Sequence, residues 1–155
     1  MKKFSDYLYG ICLSLWVGGM SVFTFLVTPA IFRSYPRDKA GEIVGNLFPS
    51  YFPFTLAISA AALLLLLISF RDKGRPGYRI TVALASIAVV MALYVNFGLY
   101  PEMRAVKQQV RSFESSPEDP ARIRFRQLHI RSAVVNLAVI ADGFILLIMK
   151  MRKKE

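Results

Sequence analysis

The stretch FRQLHIRSAVVNLAVIADGF, residues 125–144, carries polar side chains from a basic segment into one apolar enough to cross a membrane. His129, Ser132 and Asn136 are spaced by three and four residues, so they share one face of a helix. His129 is the only histidine of the chain, and its imidazole could titrate near neutral pH. Asp142 lies six residues beyond Asn136, roughly 120° around the helix. The segment therefore offers two polar sites at different depths along the helix, one around Asn136 and one at Asp142.

The composition predicts that these residues lie in a membrane. Hydrophobic residues make up 55% of the 155 residues, whereas soluble domains reach about 45–50% even with glycine counted. Four long runs carry no charge except Asp142, and a helix needs about 20 apolar residues to cross the bilayer. We therefore expect an all-α fold, a four-helix transmembrane bundle in a single domain over residues 1–155. The spans are predicted at about 7–32, 53–70, 80–100 and 131–149.

Lysines and arginines near the span ends predict the orientation. The amino terminus, the second loop and the carboxyl tail carry 10 of the 20 basic residues, and the other side carries three in its first loop and seven in its third. By the positive-inside rule, we expect both termini in the cytoplasm. The membrane is expected to be a bacterial inner membrane, as the family resemblance given below implies. The net charge of +10 fits attraction to anionic lipid heads. Nucleic acid is not an expected partner, because its recognition needs a basic face on a soluble module, which the sequence lacks.

Two further helical segments are expected to flank the spans. Apolar residues at helical spacing follow Pro36, which predicts a short amphipathic helix along the outer membrane surface; they are Ala40, Ile43, Val44, Leu47 and Phe48. Pro49 and Pro53 are expected to separate this helix from the second span. Since no helix breaker follows Pro120, one helix is expected from there through Lys150. It would extend several turns beyond the bilayer before it becomes span four.

Depth along the helices brings other polar residues to the level of Asn136, which lies roughly 7–8 Å inside span four at about 1.5 Å per residue. We predict an outer-half polar cluster of His129, Ser132, Asn136, Asn96, Thr28 and Thr24. One interpretation is interhelical hydrogen bonding that fixes the helix register. The other is a polar cavity that opens to the outer side and receives a small solute or ion, with His129 at its mouth.

Asp142 is expected in the inner half of span four. Ser14 and Ser86 match its depth and could donate hydrogen bonds to its carboxylate, as could Trp16. An ionisable group within a span is by default a candidate functional site, so Asp142 with Ser14 and Ser86 could handle a proton or a cation. The alternative is a neutral or water-linked side chain, because desolvation disfavours the charged carboxylate.

Several kinds of chemistry are excluded within one chain. A single histidine and a single cysteine cannot supply the paired imidazoles of a six-coordinate haem or the ligands of a zinc site. The sequence also lacks G-x-S-x-G, H-E-x-x-H and P-loop patterns. We therefore expect no metal site, no cofactor, no catalytic residue and no enzymatic activity.

Small residues recur in two spans at the four-residue spacing that is typical of close helix packing. Span one has Gly10, Ser14 and Gly18, and span three has Ala85, Ala88, Ala92 and Asn96. Four helices alone leave little room for a lumen, and such stripes offer surfaces to further subunits. We therefore expect a homo-oligomer.

Two parts of the chain resemble a known family. GGMSVFTFLVTPAIF with AGEIVGNLFPSYF, and FRQLHIRSAVVNLAV, are similar to the transmembrane-protein-205-like family of four-span membrane proteins. The shared residues are Pro29, Phe32, Gly45, Phe48, Tyr51, Phe52, Phe125, Leu128, His129, Ser132 and Asn136. The resemblance implies a four-helix membrane domain and carries no settled biochemical activity. Asp142 lies outside the shared pattern.

Three functions follow as hypotheses. The first is a polytopic membrane protein that binds, or passes, a small solute or ion at the outer polar cluster. The second is a structural or accessory subunit that packs against a partner membrane protein, with its polar residues only locking helix register. The third is a haem or metal redox protein, which would need ligands from more than one chain.

Overall fold

The computed structural model describes residues 2–68, 77–110, 112 and 119–152. In order, the elements are α1 (Lys2–Val22), a first π-helical segment (Phe23–Val27), α2 (Thr28–Ser34), α3 (Arg37–Ile68), α4 (Tyr78–Leu93), a second π-helical segment (Tyr94–Leu99), α5 (Tyr100–Lys107) and α6 (Pro120–Arg152). They form four helices long and apolar enough to cross a membrane, here named spans one to four: Phe4–Ser34, Arg37–Ile68, Tyr78–Lys107 and Pro120–Arg152. The predicted four-helix, all-α fold is confirmed, and such a chain is an integral membrane protein.

The spans pack as a ring in which each contacts its two neighbours: one and three each pack against two and four. Only Tyr35 and Pro36 separate spans one and two, so these two spans run antiparallel. The Lys150 ammonium of span four donates a hydrogen bond to the Asp6 carbonyl oxygen of span one. Residues near both chain termini thus lie together at what we name the terminal end. The opposite end, which holds Tyr35 and Pro36, is named the cavity end.

The two stripes of small residues have different surroundings. Ala85, Ala88 and Ala92 are buried, so the stripe of span three serves packing within one chain. Ser14 and Gly18 of span one are exposed, and nothing lies within 4 Å of a Cβ placed on Gly18. The stripe of span one is therefore open at Ser14 and Gly18, whereas Gly10 lies against the Lys150 side chain.

The prediction of a separate amphipathic helix between the first two spans is wrong. Residues 37–68 form one helix with Pro49 and Pro53 inside it. Its first turns pack into the bundle, since Ala40 is fully buried and Val44 is nearly so. Each proline removes one backbone hydrogen bond, a small loss for a helix that is supported by packing along its length. The apolar face faces the neighbouring spans instead of the membrane surface.

Both π-helical segments precede a proline by the same distance. The first ends two residues before Pro29 and the second two residues before Pro101. A proline lacks the N–H donor, and its ring clashes with the carbonyl group four residues earlier, so a wider turn relieves the contact. Thr24 and Asn96 each lie five residues before their proline, inside the widened turns. These turns position two side chains of the predicted polar cluster.

Span four is a single helix, as predicted from Pro120 onward. It runs from Pro120 to Arg152, and the Asp119 Oδ1 atom accepts a hydrogen bond of 2.9 Å from the Ala121 N–H at its start. An aspartate in this position satisfies a backbone donor and favours the positive end of the helix dipole. The basic turns before Ser132 therefore continue the same rigid rod that carries Asn136 and Asp142.

Candidate functional site

Asn136 is the centre of a hydrogen-bonded network between three spans. Its Nδ2 donates to Thr24 Oγ1 at 2.9 Å, and its Oδ1 accepts from the Tyr51 hydroxyl at 2.6 Å. The Tyr51 ring stacks on Phe23 with centroids 4.1 Å apart. Because both ends of the amide are bonded, the network fixes span four against spans one and two.

Asn96 lies at the same level and contacts Phe52 of span two, the residue that follows Tyr51. Its Nδ2 donates to the Phe52 carbonyl oxygen at 3.0 Å and to the Ala92 carbonyl oxygen at 2.9 Å. Asn96 and Asn136 are therefore not bonded to each other. They are connected through the consecutive residues Phe52 and Tyr51, and both face the bundle interior.

The other three residues of the predicted cluster have different roles. Ser132 is buried, and its Oγ donates to the His129 carbonyl oxygen at 2.9 Å, which satisfies it within its own helix. The side chains of His129 and Thr28 line a cavity at the cavity end. The Thr28 hydroxyl forms no hydrogen bond within the described part of the chain. The six residues thus fall into three pairs. Asn136 and Thr24 bond to each other, Asn96 and Ser132 bond to backbone carbonyl groups, and Thr28 and His129 line the cavity.

The cavity has a volume of about 460 Å³, within the range of small-molecule sites. Cations surround it from three spans: Arg37, Lys107, Arg122 and Arg126, with His129 beside them. Its apolar wall is aromatic and aliphatic, formed by Phe32, Val44, Phe48, Ile123 and Phe125. No acidic residue is among the described residues that line it.

Two of the arginines that line the cavity lack an acidic partner within the described part of the chain. Arg37 and Arg126 have no ion-pair partner among the described residues. The described acids at this end have other partners: Asp38 accepts a hydrogen bond from Ser112, Glu42 pairs with Lys39, Glu102 pairs with Arg124, and Asp119 caps α6. A cationic cleft with apolar walls concentrates anions.

Lys107 is held in place by the backbone of α3. Its ammonium donates to the Gly41 carbonyl oxygen at 2.8 Å and lies against Gly45, where an added methyl group would collide with it. The absence of a side chain at Gly45 is what leaves room for the ammonium. A fixed cation therefore forms one side of the cavity.

Stacked rings separate the cavity from the Asn136 network. Phe48 lines the cavity and stacks on Phe52 at 5.0 Å, while Tyr100 lies 5.1 Å from Phe52. Tyr51 contacts Phe52 edge-on and reaches Asn136 on its other side. The aromatic cluster thus contacts the cavity on one side and the buried amide on the other.

Asp142 lies away from this site, in the half of span four nearer the terminal end. It is buried, and neither carboxylate oxygen has a hydrogen-bond partner within the described residues. Ser86 donates instead to the Val82 carbonyl oxygen at 2.8 Å, and Ser14 is exposed. The hydrogen bonds expected from Ser14, Trp16 or Ser86 to Asp142 are therefore not formed. A proton or cation role for Asp142 stays a prediction.

Sequence reasoning missed Tyr51 and the cations of the cavity. Tyr51 is named only among the residues of the family resemblance and not in the predicted polar cluster, although its hydroxyl donates to Asn136 Oδ1. A signal was available for the basic residues: Arg122, Arg126 and His129 are spaced by four and three, on one face of the helix. In the described residues, no group of three or more His, Cys, Asp or Glu side chains could hold a metal ion.

Comparison with known families gives a match over most of the chain. A domain of unknown function, DUF4149, matches residues 11–112, which is more than half of the chain. The chain belongs to the DUF4149 family. The DUF4149 match includes Thr24, Thr28, Tyr51 and Asn96 but ends before span four, so His129 and Asn136 lie beyond it.

An uncharacterized protein of Aquifex aeolicus (strain VF5) is a distant relative of this DUF4149 protein. The two are 27% identical over 95 residues, which cover 61% of this chain and 66% of the relative. No solved structure matches the chain significantly.

Proposed function

We propose that this DUF4149 protein binds a small, negatively charged solute or ion in the cavity at the cavity end. The observation that carries the proposal is the convergence of four cations and two predicted polar residues, Thr28 and His129, around a cavity that no acid among the described residues lines. Arginines and an unpartnered hydroxyl supply donors in the arrangement that oxyanions accept. The apolar wall strengthens these contacts by lowering the local dielectric constant.

Binding is better supported than passage through the bundle. Asn136, Asn96, Thr24 and Ser132 all have protein partners, so they offer no free polar path below the cavity. The stacked rings of Phe48, Phe52 and Tyr51 stand between the cavity and the buried amide. A solute could cross only if these rings moved. The polar network is accordingly assigned to helix register and the cavity to ligand binding.

Orientation and location belong to the same proposal. The basic residues near both termini favour a cytoplasmic terminal end in a bacterial inner membrane, which places the cavity on the opposite side. The likeness to the transmembrane-protein-205-like family is also part of it. His129 and Asn136, from the shared pattern, supply one residue of the cavity and the centre of the network.

Reactivity of introduced cysteines tests this function. In a Cys12→Ala background, single cysteines replace Thr28, His129, Asn96 or Asn136, and each is treated with water-soluble thiol reagents of either charge. We expect reaction at positions 28 and 129 and none at 96 and 136. An anionic reagent should react faster than a cationic one at position 129, because the cavity is positively charged.

The control is a cysteine at Gln109, which is exposed and outside the cavity. It should react with both reagents and lack the preference for anions seen at position 129. Unreactive cysteines at both 28 and 129 would rule out a cavity open to water. Labelling from outside intact cells at position 129 tests the orientation, since reaction only after permeabilisation would reverse it.

A second candidate function is that of a subunit that packs against another membrane protein or another copy of itself. It is favoured by the open stripe of span one, where Ser14 is exposed and Gly18 has no neighbour within 4 Å of an added Cβ. Small residues of this kind let helix backbones approach closely in lipid. Purification in mild detergent tests this function, because a monomer without co-purifying protein would count against it.

A further inference from the structure

We infer that the cavity at the cavity end holds the phosphate headgroup of an anionic phospholipid, with the start of its acyl chains against the apolar wall. This inference rests on the proposed function and specifies its ligand. It follows from two properties of one cavity, its charge and the chemistry of its walls, together with its position at the end of a transmembrane bundle.

The positive charge of the cavity favours an anion with oxygen acceptors. Arg37 from span two and Arg126 from span four carry guanidinium groups without ion-pair partners in the described part of the chain. Lys107, from span three, presents a fixed ammonium on the side lined by Gly41. Guanidinium groups bind phosphate through paired N–H donors, and an ammonium adds a point charge.

The apolar walls favour an anion that carries hydrocarbon chains. Phe32 is 46% exposed and Ile123 is 36% exposed, although both line the cavity, so their apolar surface is left uncovered by the protein. Phe125 and the His129 ring lie parallel, 6.2 Å apart, and extend this surface along α6. A free phosphate ion would leave these groups uncovered, whereas a phospholipid covers them with its chains.

The distribution of basic residues supports the same ligand. Ten of the 20 lysines and arginines fall in the sequence stretches 33–39 and 104–131, which join spans one to two and three to four, and the other ten fall near the termini or in 71–79. Basic residues in the first two stretches oppose the orientation that the positive-inside rule favours. Four of the first ten line the cavity, so binding of an anion gives them a role there.

Lipid selectivity measured by native mass spectrometry tests the inference. The full-length protein, stripped of endogenous lipid in detergent, is titrated with dioleoyl phosphatidylglycerol and separately with dioleoyl phosphatidylcholine. We expect the anionic lipid to bind about tenfold more tightly or better. The double variant Arg37→Gln/Arg126→Gln should lose this preference. The matched control Arg33→Gln/Arg131→Gln removes the same charge outside the cavity and should retain it.

Competition separates a lipid from a soluble anion. Glycerol 3-phosphate carries the phosphate without acyl chains, so at equal concentration it should leave phosphatidylglycerol bound. The inference is overturned if the two lipids bind equally, if the double variant keeps its preference, or if glycerol 3-phosphate displaces the lipid.

The two proposals fail in different ways. If cysteines at positions 28 and 129 react with thiol reagents but no anionic lipid is selected, the cavity stands and only the lipid is wrong. If those cysteines do not react in lipid-free protein, the cavity itself is wrong and the lipid inference falls with it.

Discussion

Asn136 and Asp142 occupy one helix, six residues apart, and their surroundings are opposite. Asn136 is half-buried, and its amide nitrogen and oxygen are both hydrogen-bonded, to Thr24 and Tyr51. Asp142 is 7% exposed, and neither carboxylate oxygen has a partner among the described residues. The first residue joins three spans, and the second joins none.

The difference separates structural polar residues from those that await a ligand. A polar group that finds protein partners in hydrocarbon holds helices together. A buried ionisable group without partners costs free energy, so it suggests a function that uses the free carboxylate. The cavity is a third case, in which charged side chains line an open space.

The largest effect is expected at Asn136. Asn136→Ala leaves the Tyr51 and Thr24 hydroxyls without their partner, which should lower the free energy of unfolding by about 1–3 kcal/mol. Unfolding in mixed detergent micelles measures this change. Val134→Ala, at an exposed position of the same helix, is the control and should have little effect. Equal stability of Asn136→Ala and the parent protein would contradict the network.

A smaller loss is expected beside Asp142. A Cβ on Gly143 would lie 3.0 Å from Val17 Cγ2 and 3.3 Å from the Trp16 indole, which is fully buried. Gly143→Ala should therefore destabilise the bundle by about 1–2 kcal/mol through overpacking. The melting temperature in detergent reports it. An unchanged melting temperature would mean that this half of the bundle is loosely packed.

The sign of the effect should reverse at Asp142 itself. Asp142→Asn removes a buried ionisable group whose oxygens have no partner among the described residues, so the free energy of unfolding should stay the same or rise by up to about 2 kcal/mol. The same unfolding assay compares it directly with Asn136→Ala. A clear loss of stability would reveal a partner that donates to the carboxylate and not to an amide, and it would remove the contrast between the two residues.

The smallest effect is expected at Gly18, the counterpart of Gly143 on the open surface. Gly18→Ala meets no neighbour, and alanine favours a helix over glycine by up to about 1 kcal/mol. Stability of the monomer should stay the same or rise slightly. Sizing by analytical ultracentrifugation adds the second readout: a change of oligomeric state would identify the stripe as a subunit contact.

The number and type of helices could be predicted from the sequence because burying a charge in the bilayer is costly. Each spanning helix therefore appears as a run of residues with little or no charge. The continuous helix from Pro120 onward followed from the lack of a breaker. The amphipathic segment after Pro36 was misassigned because its apolar face, with Ala40 and Val44, suits a protein neighbour as well as a membrane surface. Periodicity alone cannot distinguish the two.

The polar site could be predicted only in part. Depth placed Asn96, Asn136 and Thr24 at one level, but it could not tell that Asn96 bonds to a backbone carbonyl group. Tyr51 was missed because an aromatic residue near a span end suits the interface as well as the interior. The π-helical turns depend on the response of the helix to Pro29 and Pro101, which residue types do not specify. The cavity needs residues from several elements, so no single segment predicts it.

The central claim is that the cavity end holds a closed amide network beside an open cationic cavity. An experimental structure in nanodiscs that contain phosphatidylglycerol tests both parts together. We expect the Asn136 amide within hydrogen-bond distance of Tyr51 and Thr24, and density for a headgroup between Arg37 and Arg126. Two results would contradict this expectation: the Asn136 side chain turned toward lipid, or Arg37 and Arg126 packed so closely that no cavity remains between them.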